Sequence, residues 1–206
     1  MLHNTFCRRL AALVLTLAVA VSAVLPVFAV YPMPIQTATE TEAVYLFNAD
    51  TGKTLLTQNA DQPRYVASLT KMMTALLLLE SGKDLNGEVT VPTDLTQEFK
   101  DIQNANGTTM GLRIGETVRR IDLLNALLIT SANDAASVIA WDVGGSLNAF
   151  IQQMNARAAE LGCTSATFTC AHGLYDYGNV ASAEDMAKIA AACAANETFA
   201  QVAGST

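Results

Sequence analysis

The residues with the clearest chemical potential are Ser68 and Lys71, which lie three positions apart in the segment Ala-Ser-Leu-Thr-Lys. On a helix, positions i and i+3 share one face, about 5–6 Å apart at Cβ, so the lysine amine can reach the serine hydroxyl. A serine hydroxyl is a weak nucleophile by itself. A desolvated lysine has a lowered pKa, and in its neutral form it can take the serine proton as general base. The spacing therefore supplies a nucleophile and a base.

The residues after Lys71 decide between this chemistry and an ordinary surface helix. By itself, the Ser-x-x-Lys spacing is common enough to be explained by a helix-capping serine and a solvated lysine. Residues 72–79 are almost wholly apolar, however, which predicts a helix from Ser68 to Glu80 that is buried nearly all round and ends at Gly82. Lys71 then lies against the protein interior, where a lysine calls for a specific reason.

A Ser-x-Asn triplet, which is a candidate second motif, occurs twice. Ser146-Leu147-Asn148 follows two glycines and opens an amphipathic segment that continues to Leu161, so Ser146 is predicted to be a helix N-cap. Ser131-Ala132-Asn133 instead follows the apolar helix predicted over Ile121 to Ile129. At such a joint, polar side chains can be held at the edge of a core and face a cleft. We therefore choose Ser131 and Asn133 as site residues.

The N-terminus predicts export. Arg8 and Arg9 precede an apolar run from Leu10 to Leu25, and Ala29 follows as a small residue suited to cleavage. The run is short for a membrane-spanning helix and is closed by a proline. We predict a signal peptide over residues 1–29, a linker over 30–41 and one domain over 42–206 that is exported across the cytoplasmic membrane.

The composition narrows the possible partners. Of the 12 lysines and arginines, the two in the signal are lost on cleavage, which leaves 10 against 19 acidic residues and a net charge of −9. Such a chain is a poor match for nucleic acid. After cleavage His172 is the one remaining histidine, so we expect no metal site and no cofactor. For a single histidine such as His172, a structural role is more common than a catalytic one. Cys163, Cys170 and Cys193 remain, and Cys163 and Cys170 could pair across a loop.

The other elements follow from alternation and turn residues. Glu42–Phe47 and Thr54–Gln58 predict a β-hairpin, and Glu88–Val91 predicts a short strand. Pro92–Gly115 is expected to be a long loop with at most one short helix near residues 95–99. A final helix is predicted over Ala183–Ala195.

Together, these motifs resemble the D-alanyl-D-alanine carboxypeptidases of the low-molecular-mass penicillin-binding type. The resemblance spans about Glu42 to Ala203, and the order and spacing of its motifs are specific. Five segments carry it: Tyr65–Thr74, Met110–Glu116, Ser131–Ala136, His172–Leu174 and Ala183–Ala187.

The resemblance implies a β-lactamase/transpeptidase-like fold of the α/β class, layered as α+β, with a central antiparallel sheet, helices on both of its faces and a helical subdomain. It also implies that residues 42–206 are a catalytic domain acting in the bacterial cell envelope, where Ser68 attacks the carbonyl between the two terminal D-alanines of a peptidoglycan stem peptide. Lys71 would act as base, Ser131 would relay a proton to the leaving amine, and Asn133 would bind the substrate backbone. The Ser68 N–H would be one oxyanion donor, and β-lactams would be acylating inhibitors.

The sequence departs from the family pattern in one main respect, since no Lys-Thr-Gly occurs in it. We therefore expect the chain to be an N-terminal portion of the domain, with sheet strands missing at its C-terminus. Contact with the membrane surface would depend on a C-terminal region outside this sequence. Two alternatives stay open: a non-catalytic β-lactam-sensing or cell-wall-binding protein, and a serine β-lactamase. A serine β-lactamase needs a carboxylate that activates the deacylating water, and this sequence has no Glu-x-x-Leu-Asn motif after Ser131.

Overall fold

The structure is a computed structural model that describes residues 40–174 and 176–205. The predicted signal peptide and most of the predicted linker lie outside these residues. Within them, no helix is long and apolar enough to cross a membrane.

The secondary structure alternates short strands with longer helices. In chain order the elements are β1 (Val44–Phe47), β2 (Thr54–Gln58), β3 (Arg64–Tyr65), α1 (Thr70–Glu80), β4 (Glu88–Thr90), α2 (Thr96–Asn104), β5 (Thr117–Arg119), α3 (Arg120–Ile129), α4 (Asn133–Gly144), α5 (Leu147–Glu160), β6 (Val180–Ala181), α6 (Ala183–Ala194) and α7 (Glu197–Ala203).

The strands pair in three antiparallel, two-stranded sheets: β1 with β2, β3 with β6, and β4 with β5. The predicted hairpin is confirmed. Its turn is closed by the Asn48 side chain, which accepts the Thr51 N–H at 2.8 Å. The predicted strand β4 is also confirmed, because the buried Val91 after it extends the alternation of exposed and buried positions to four residues. Strands β3, β5 and β6 were missed because two or three residues without such an extension are too few to show an alternation.

Helix α1 lies at the centre of the fold and packs against α3, α4, α5, α6 and α7. A short 3₁₀ turn over Ala67–Leu69 leads into it, and Ser81 ends it before Gly82, whose φ is +72°. Met73, Leu76 and Leu78 are fully buried in the core. Burying such side chains stabilises the fold by about 1.5–3 kcal/mol each. The predicted buried helix is confirmed.

Two helical predictions need correction. The segment over residues 92–115 contains α2, which runs to Asn104 and is therefore longer than the short helix expected near residues 95–99. Ile102 is buried and Phe99 packs against the core, so the helix continues through both, and it ends before Asn106, whose φ is +53°. Helix α7 was not predicted. It begins after Asn196, whose side chain accepts the Phe199 N–H at 3.1 Å.

The predictions for the other helices are confirmed, including α3, α6 and the capping of α5 by Ser146. The three cysteines in the described residues are all free thiols. Cys163 and Cys170 do not pair, so no disulfide closes this loop.

Candidate active site

Ser68 and Lys71 lie where the 3₁₀ turn passes into α1. Ser68 is exposed, whereas Lys71 is buried, with 3% of its surface accessible. Lys71 Nζ lies 3.3 Å from Ser68 Oγ. The i, i+3 spacing therefore places the amine beside the hydroxyl, as helix geometry requires.

Two further hydrogen bonds hold the Lys71 amine. Nζ donates to Asn133 Oδ1 at 2.8 Å and to the His172 carbonyl at 2.6 Å. An ammonium group has three N–H donors, which match these two acceptors and Ser68 Oγ. A neutral amine keeps two N–H groups for the two shorter bonds. Its lone pair then points toward Ser68 Oγ, which is the orientation that a general base needs.

Burial also makes the neutral amine accessible near neutral pH. Removal from water disfavours the charged form and lowers the pKa of Lys71 to about 8, although negative charge on Cys170 opposes the shift. A lysine with an ordinary pKa near 10.4 would be neutral in fewer than about 0.1% of molecules at pH 7. With a pKa of about 8, roughly a tenth of the molecules carry the neutral amine at that pH.

Ser131 is in the joint between α3 and α4 and has a φ of +57°, in the left-handed region that non-glycine residues rarely adopt. Its Oγ donates to Ser68 Oγ at 3.1 Å. Ser68 Oγ therefore lies within hydrogen-bond distance of both a lysine amine and a second hydroxyl.

Asn133 is the first residue of α4, and hydrogen bonds fix both its backbone and its side chain. Its backbone N–H and its side-chain Nδ2 both donate to the Thr108 carbonyl, at 2.8 and 2.9 Å. This leaves Oδ1 directed at Lys71. The side-chain oxygen is therefore a fixed acceptor for the lysine, while Nδ2 is occupied by Thr108.

Asp134 is a residue that sequence reasoning did not single out, although it belongs to a motif quoted for the resemblance. Its buried carboxylate accepts the N–H groups of Met110, Gly111 and Leu112, each at 3.0 Å. These bonds tie residues 108–112 to the start of α4. Because the Thr108 carbonyl holds Asn133, Asp134 positions Asn133 indirectly, through the segment over residues 108–112.

The segment over residues 170–173 forms the other wall around Lys71. The Ala171 carbonyl accepts the Thr74 hydroxyl at 2.6 Å, one helical turn from the contact between Lys71 and the His172 carbonyl. Gly173 has a φ of +79°, and a Cβ there would collide with the carbonyl oxygen of Ala67. Only glycine allows this segment to approach the residue before Ser68 so closely.

The His172 side chain bonds within this wall. Nε2 lies 3.0 Å from Glu98 Oε1, and Nδ1 accepts the Leu174 N–H at 3.1 Å. The Ser137 hydroxyl donates to the same Glu98 oxygen at 3.0 Å. These contacts link α2, α4 and the 170–173 segment, which fits the structural interpretation of His172.

The four predicted site residues thus come together, with Lys71 and Ser131 at Ser68 Oγ and Asn133 at Lys71 Nζ. Ser146 lies elsewhere and accepts the Ala149 N–H at the start of α5. No group of three potential metal ligands is present among residues 40–174 and 176–205. The arrangement can activate a serine for attack on a carbonyl and supply a proton to a leaving group.

A family model described as D-alanyl-D-alanine carboxypeptidase matches residues 31–204. The chain is 33% identical over 153 residues to D-alanyl-D-alanine carboxypeptidase DacF of Bacillus subtilis, covering 74% of this chain and 39% of that protein. It is 32% identical over 175 residues to a D-alanyl-D-alanine endopeptidase of Pseudomonas aeruginosa, covering 85% of this chain and 54% of that protein. The chain thus spans about two fifths to one half of the length of these relatives.

Solved structures show the same similarity. The Streptomyces K15 DD-transpeptidase superposes with a TM-score of 0.71 at 32% identity, covering 77% of this chain and 62% of that one. The D-alanyl-D-alanine carboxypeptidase DacD of Francisella tularensis gives a TM-score of 0.72 at 25% identity, covering 84% and 41%. The β-lactamase/transpeptidase-like fold expected from the sequence is confirmed.

Proposed function

The chain belongs to the D-alanyl-D-alanine carboxypeptidase family, and on that premise we propose that it removes the terminal D-alanine from peptidoglycan stem peptides through an acyl-enzyme on Ser68. One observation carries this proposal: Ser68 Oγ lies 3.3 Å from the buried Lys71 amine and 3.1 Å from the Ser131 hydroxyl. The protein would be exported and act in the cell envelope.

Acylation begins with transfer of the Ser68 proton to neutral Lys71. Ser68 Oγ then forms a bond to the carbonyl carbon between the two D-alanines, and the carbonyl oxygen becomes an oxyanion. The Ser68 N–H lies in the first turn leading into α1, where helix N–H groups and the helix dipole favour negative charge. We assign it as one donor to that oxyanion.

Collapse of the intermediate breaks the peptide bond and releases D-alanine. The leaving nitrogen needs a proton, and Ser131 is placed to pass one because its hydroxyl already bonds to Ser68 Oγ. The proton that Lys71 took from Ser68 then restores the Ser131 hydroxyl, since both groups lie within hydrogen-bond distance of Ser68 Oγ and hence beside each other. Water then hydrolyses the acyl-enzyme by the reverse sequence of proton transfers.

Asn133 has two duties in this scheme. Its Oδ1 orients Lys71, and we assign its amide to binding of the substrate's peptide backbone. Because Nδ2 bonds to the Thr108 carbonyl, substrate binding at Asn133 would require sharing or exchanging this donor. A β-lactam would acylate Ser68 by the same attack on its ring carbonyl.

The test is covalent labelling with a fluorescent penicillin, combined with measurement of D-alanine released from a peptide ending in D-Ala-D-Ala. Protein expressed from the complete gene should be labelled at Ser68 and release D-alanine, and Ser68→Ala should abolish both. Labelling without release would favour a β-lactam-sensing protein, and rapid turnover of penicillin itself would favour a β-lactamase.

A further inference from the structure

The Asn133 side chain meets a donor at one end and an acceptor at the other. Its Oδ1 accepts from Lys71 Nζ at 2.8 Å, and its Nδ2 donates to the Thr108 carbonyl at 2.9 Å. If the amide turned over by 180°, its NH₂ group would face the lysine donors and its oxygen would face the Thr108 oxygen. Both hydrogen bonds would be lost. The position of the Thr108 carbonyl therefore decides that Asn133 presents an acceptor to Lys71.

The segment that carries this carbonyl belongs to no helix or strand. Residues 107–113 lie between α2 and β5 and are irregular. Such a segment must find partners for its backbone N–H groups outside a regular ladder. The N–H groups of Met110, Gly111 and Leu112 all donate to the Asp134 carboxylate. Asp134 therefore anchors this segment to the start of α4.

Both oxygens of Asp134 are fully used. The residue is 3% exposed and lies in the first turn of α4. Oδ1 accepts the N–H groups of Met110 and Ala135, at 3.0 and 2.9 Å. Oδ2 accepts those of Gly111 and Leu112, both at 3.0 Å. An asparagine has one acceptor oxygen and an NH₂ group, so Asp134→Asn keeps the shape of the side chain but turns two of the four contacts into contacts between donors.

Gly107 borders the same amide independently of Asp134. A Cβ on Gly107 would lie 2.9 Å from Asn133 Nδ2 and 3.1 Å from the Ile102 carbonyl oxygen. The φ of Gly107 is outside the left-handed region, so a side chain there would add crowding and not backbone strain. The segment can approach Asn133 this closely because residue 107 has no side chain.

We propose that Asp134 is a positioning residue for the general base, and that Asp134 and residues 107–112 together fix the Asn133 amide with Oδ1 toward Lys71. The series of contacts runs from the Asp134 carboxylate through the N–H groups of residues 110–112 to the Thr108 carbonyl. It continues through Asn133 to Lys71 Nζ. This role rests on the proposed function, because it takes Lys71 as the base, whereas the anchoring of the segment does not.

A second buried aspartate provides a matched control. Asp185 is 1% exposed, lies in the first turn of α6, and accepts the N–H groups of Thr164 and Ser165 at 3.0 and 2.8 Å. It therefore ties another loop to another helix in the same way. Within the part of the chain that the structure describes, the hydrogen bonds that hold Lys71 and Asn133 do not involve this loop.

The experiment measures penicillin acylation of Ser68 in protein expressed from the complete gene. Asp134→Asn should slow acylation by about 10²-fold, the scale of a misplacement by about 1 Å. Asp185→Asn should slow it by less than about twofold. In an Asn133→Ala background, Asp134→Asn should add less than about threefold, because its route to Lys71 is already removed. A full additional loss in the double variant, or equal losses for the two aspartates, would overturn the proposal.

Gly107→Ala tests the same route without changing Asp134, and so covers the case in which Asp134→Asn does not fold. It should slow acylation by about tenfold or more, because the new methyl group displaces Asn133 Nδ2. Gly204→Ala is its control, since a Cβ there would lie 3.1 Å from the Ala200 carbonyl oxygen and acylation should not change. Acylation of Gly107→Ala at the parental rate would mean that residues 107–112 do not fix the amide.

Hydrogen exchange separates a failure of this proposal from a failure of the proposed function. In Asp134→Asn, the amides of residues 110–112 should exchange at least about tenfold faster than in the parental protein, with residues 164 and 165 unchanged. Asp185→Asn should give the reverse. Unchanged exchange at residues 110–112 would contradict the anchoring by Asp134. A parental protein that penicillin never labels would instead contradict the proposed function, and with it the positioning role.

Discussion

The chain contains the same triplet, Ser-x-Asn, at residues 131–133 and 146–148, and the structure uses the two in opposite ways. Ser146 has extended backbone angles, with φ −162° and ψ 157°, and its oxygen accepts an N–H of the helix it precedes. Ser131 has a φ of +57°, and its hydroxyl donates to Ser68 on a different element. Ser146 caps the helix that follows it, whereas Ser131 contacts the candidate nucleophile.

Backbone conformation accounts for this difference. An extended N-cap residue turns its side chain toward the N–H groups of the next turn, which uses its oxygen locally. Ser131 is left-handed and lies one residue before the N-cap of α4, which is Ala132, so its hydroxyl is not used by that helix. Holding a non-glycine residue in this conformation costs about 1–3 kcal/mol, so the surrounding contacts must over-determine it. A Ser-x-Asn triplet is therefore a candidate catalytic motif where its serine does not cap the helix that follows.

The largest effect in this comparison is expected from removal of Lys71, the base that Asn133 of the 131–133 triplet contacts. Lys71→Ala should reduce acylation of Ser68 by penicillin by about 10³-fold or more, because within the part of the chain that the structure describes Lys71 is the one base hydrogen-bonded to Ser68 Oγ. Adding Ser131→Ala should then cost little more, because residues that act as a unit are not additive. Stopped-flow labelling of the single and double variants measures this. A full additional loss in the double variant would mean that Ser131 acts independently of Lys71.

The second prediction compares the two serines directly. Ser131→Ala should slow turnover of a D-Ala-D-Ala peptide by about 10²–10⁴-fold, the usual range for a lost proton-transfer group. Ser146→Ala is the matched control and should change turnover by less than about twofold, the scale of surface changes away from a site. Equal losses in the two variants would remove the distinction drawn between the triplets.

The third prediction concerns pH. Because Lys71 acts in its neutral form and its pKa is about 8, acylation should rise as the pH increases through 8 and then level off. The gain from pH 7 to the plateau should be roughly tenfold, as for a single titrating base. Ser146→Ala should leave this profile unchanged. A rate that fell as the pH rose from 7 to 9 would exclude neutral Lys71 as the base.

The smallest effects are expected in stability, and the two triplets should differ in sign. Ser146→Ala should destabilise the protein by about 1 kcal/mol, since it removes a helix cap. Ser131→Gly should stabilise it or leave it unchanged, because glycine adopts a positive φ without the cost of a Cβ. Urea unfolding of both variants measures the difference. Destabilisation by Ser131→Gly beyond about 1 kcal/mol would show that the hydroxyl contact outweighs the strain.

The sequence predicted the longer elements well, because their signals are local. Hydrophobic run length identified α1, and the two glycines before Ser146 identified the start of α5. The elements that it missed or shortened are short or have few apolar positions. Strand β5 has three residues, and α2 carries few apolar positions, so neither stands out against loop composition.

The same distinction between local signals and long-range contacts applies to the candidate active site. The sequence by itself determined that Lys71 would lie beside Ser68, because i and i+3 meet on any helix, and that the helix would be buried, because its residues are apolar throughout. Only the tertiary structure decided that Asn133 and the His172 carbonyl would hold the amine, since these contacts join residues 62 and 101 positions apart. It also decided that Cys170 accepts the Gly173 N–H while Cys163 and Cys193 donate to carbonyls. A cysteine has the same side chain everywhere in a sequence, and only the groups that folding brings around it set its charge.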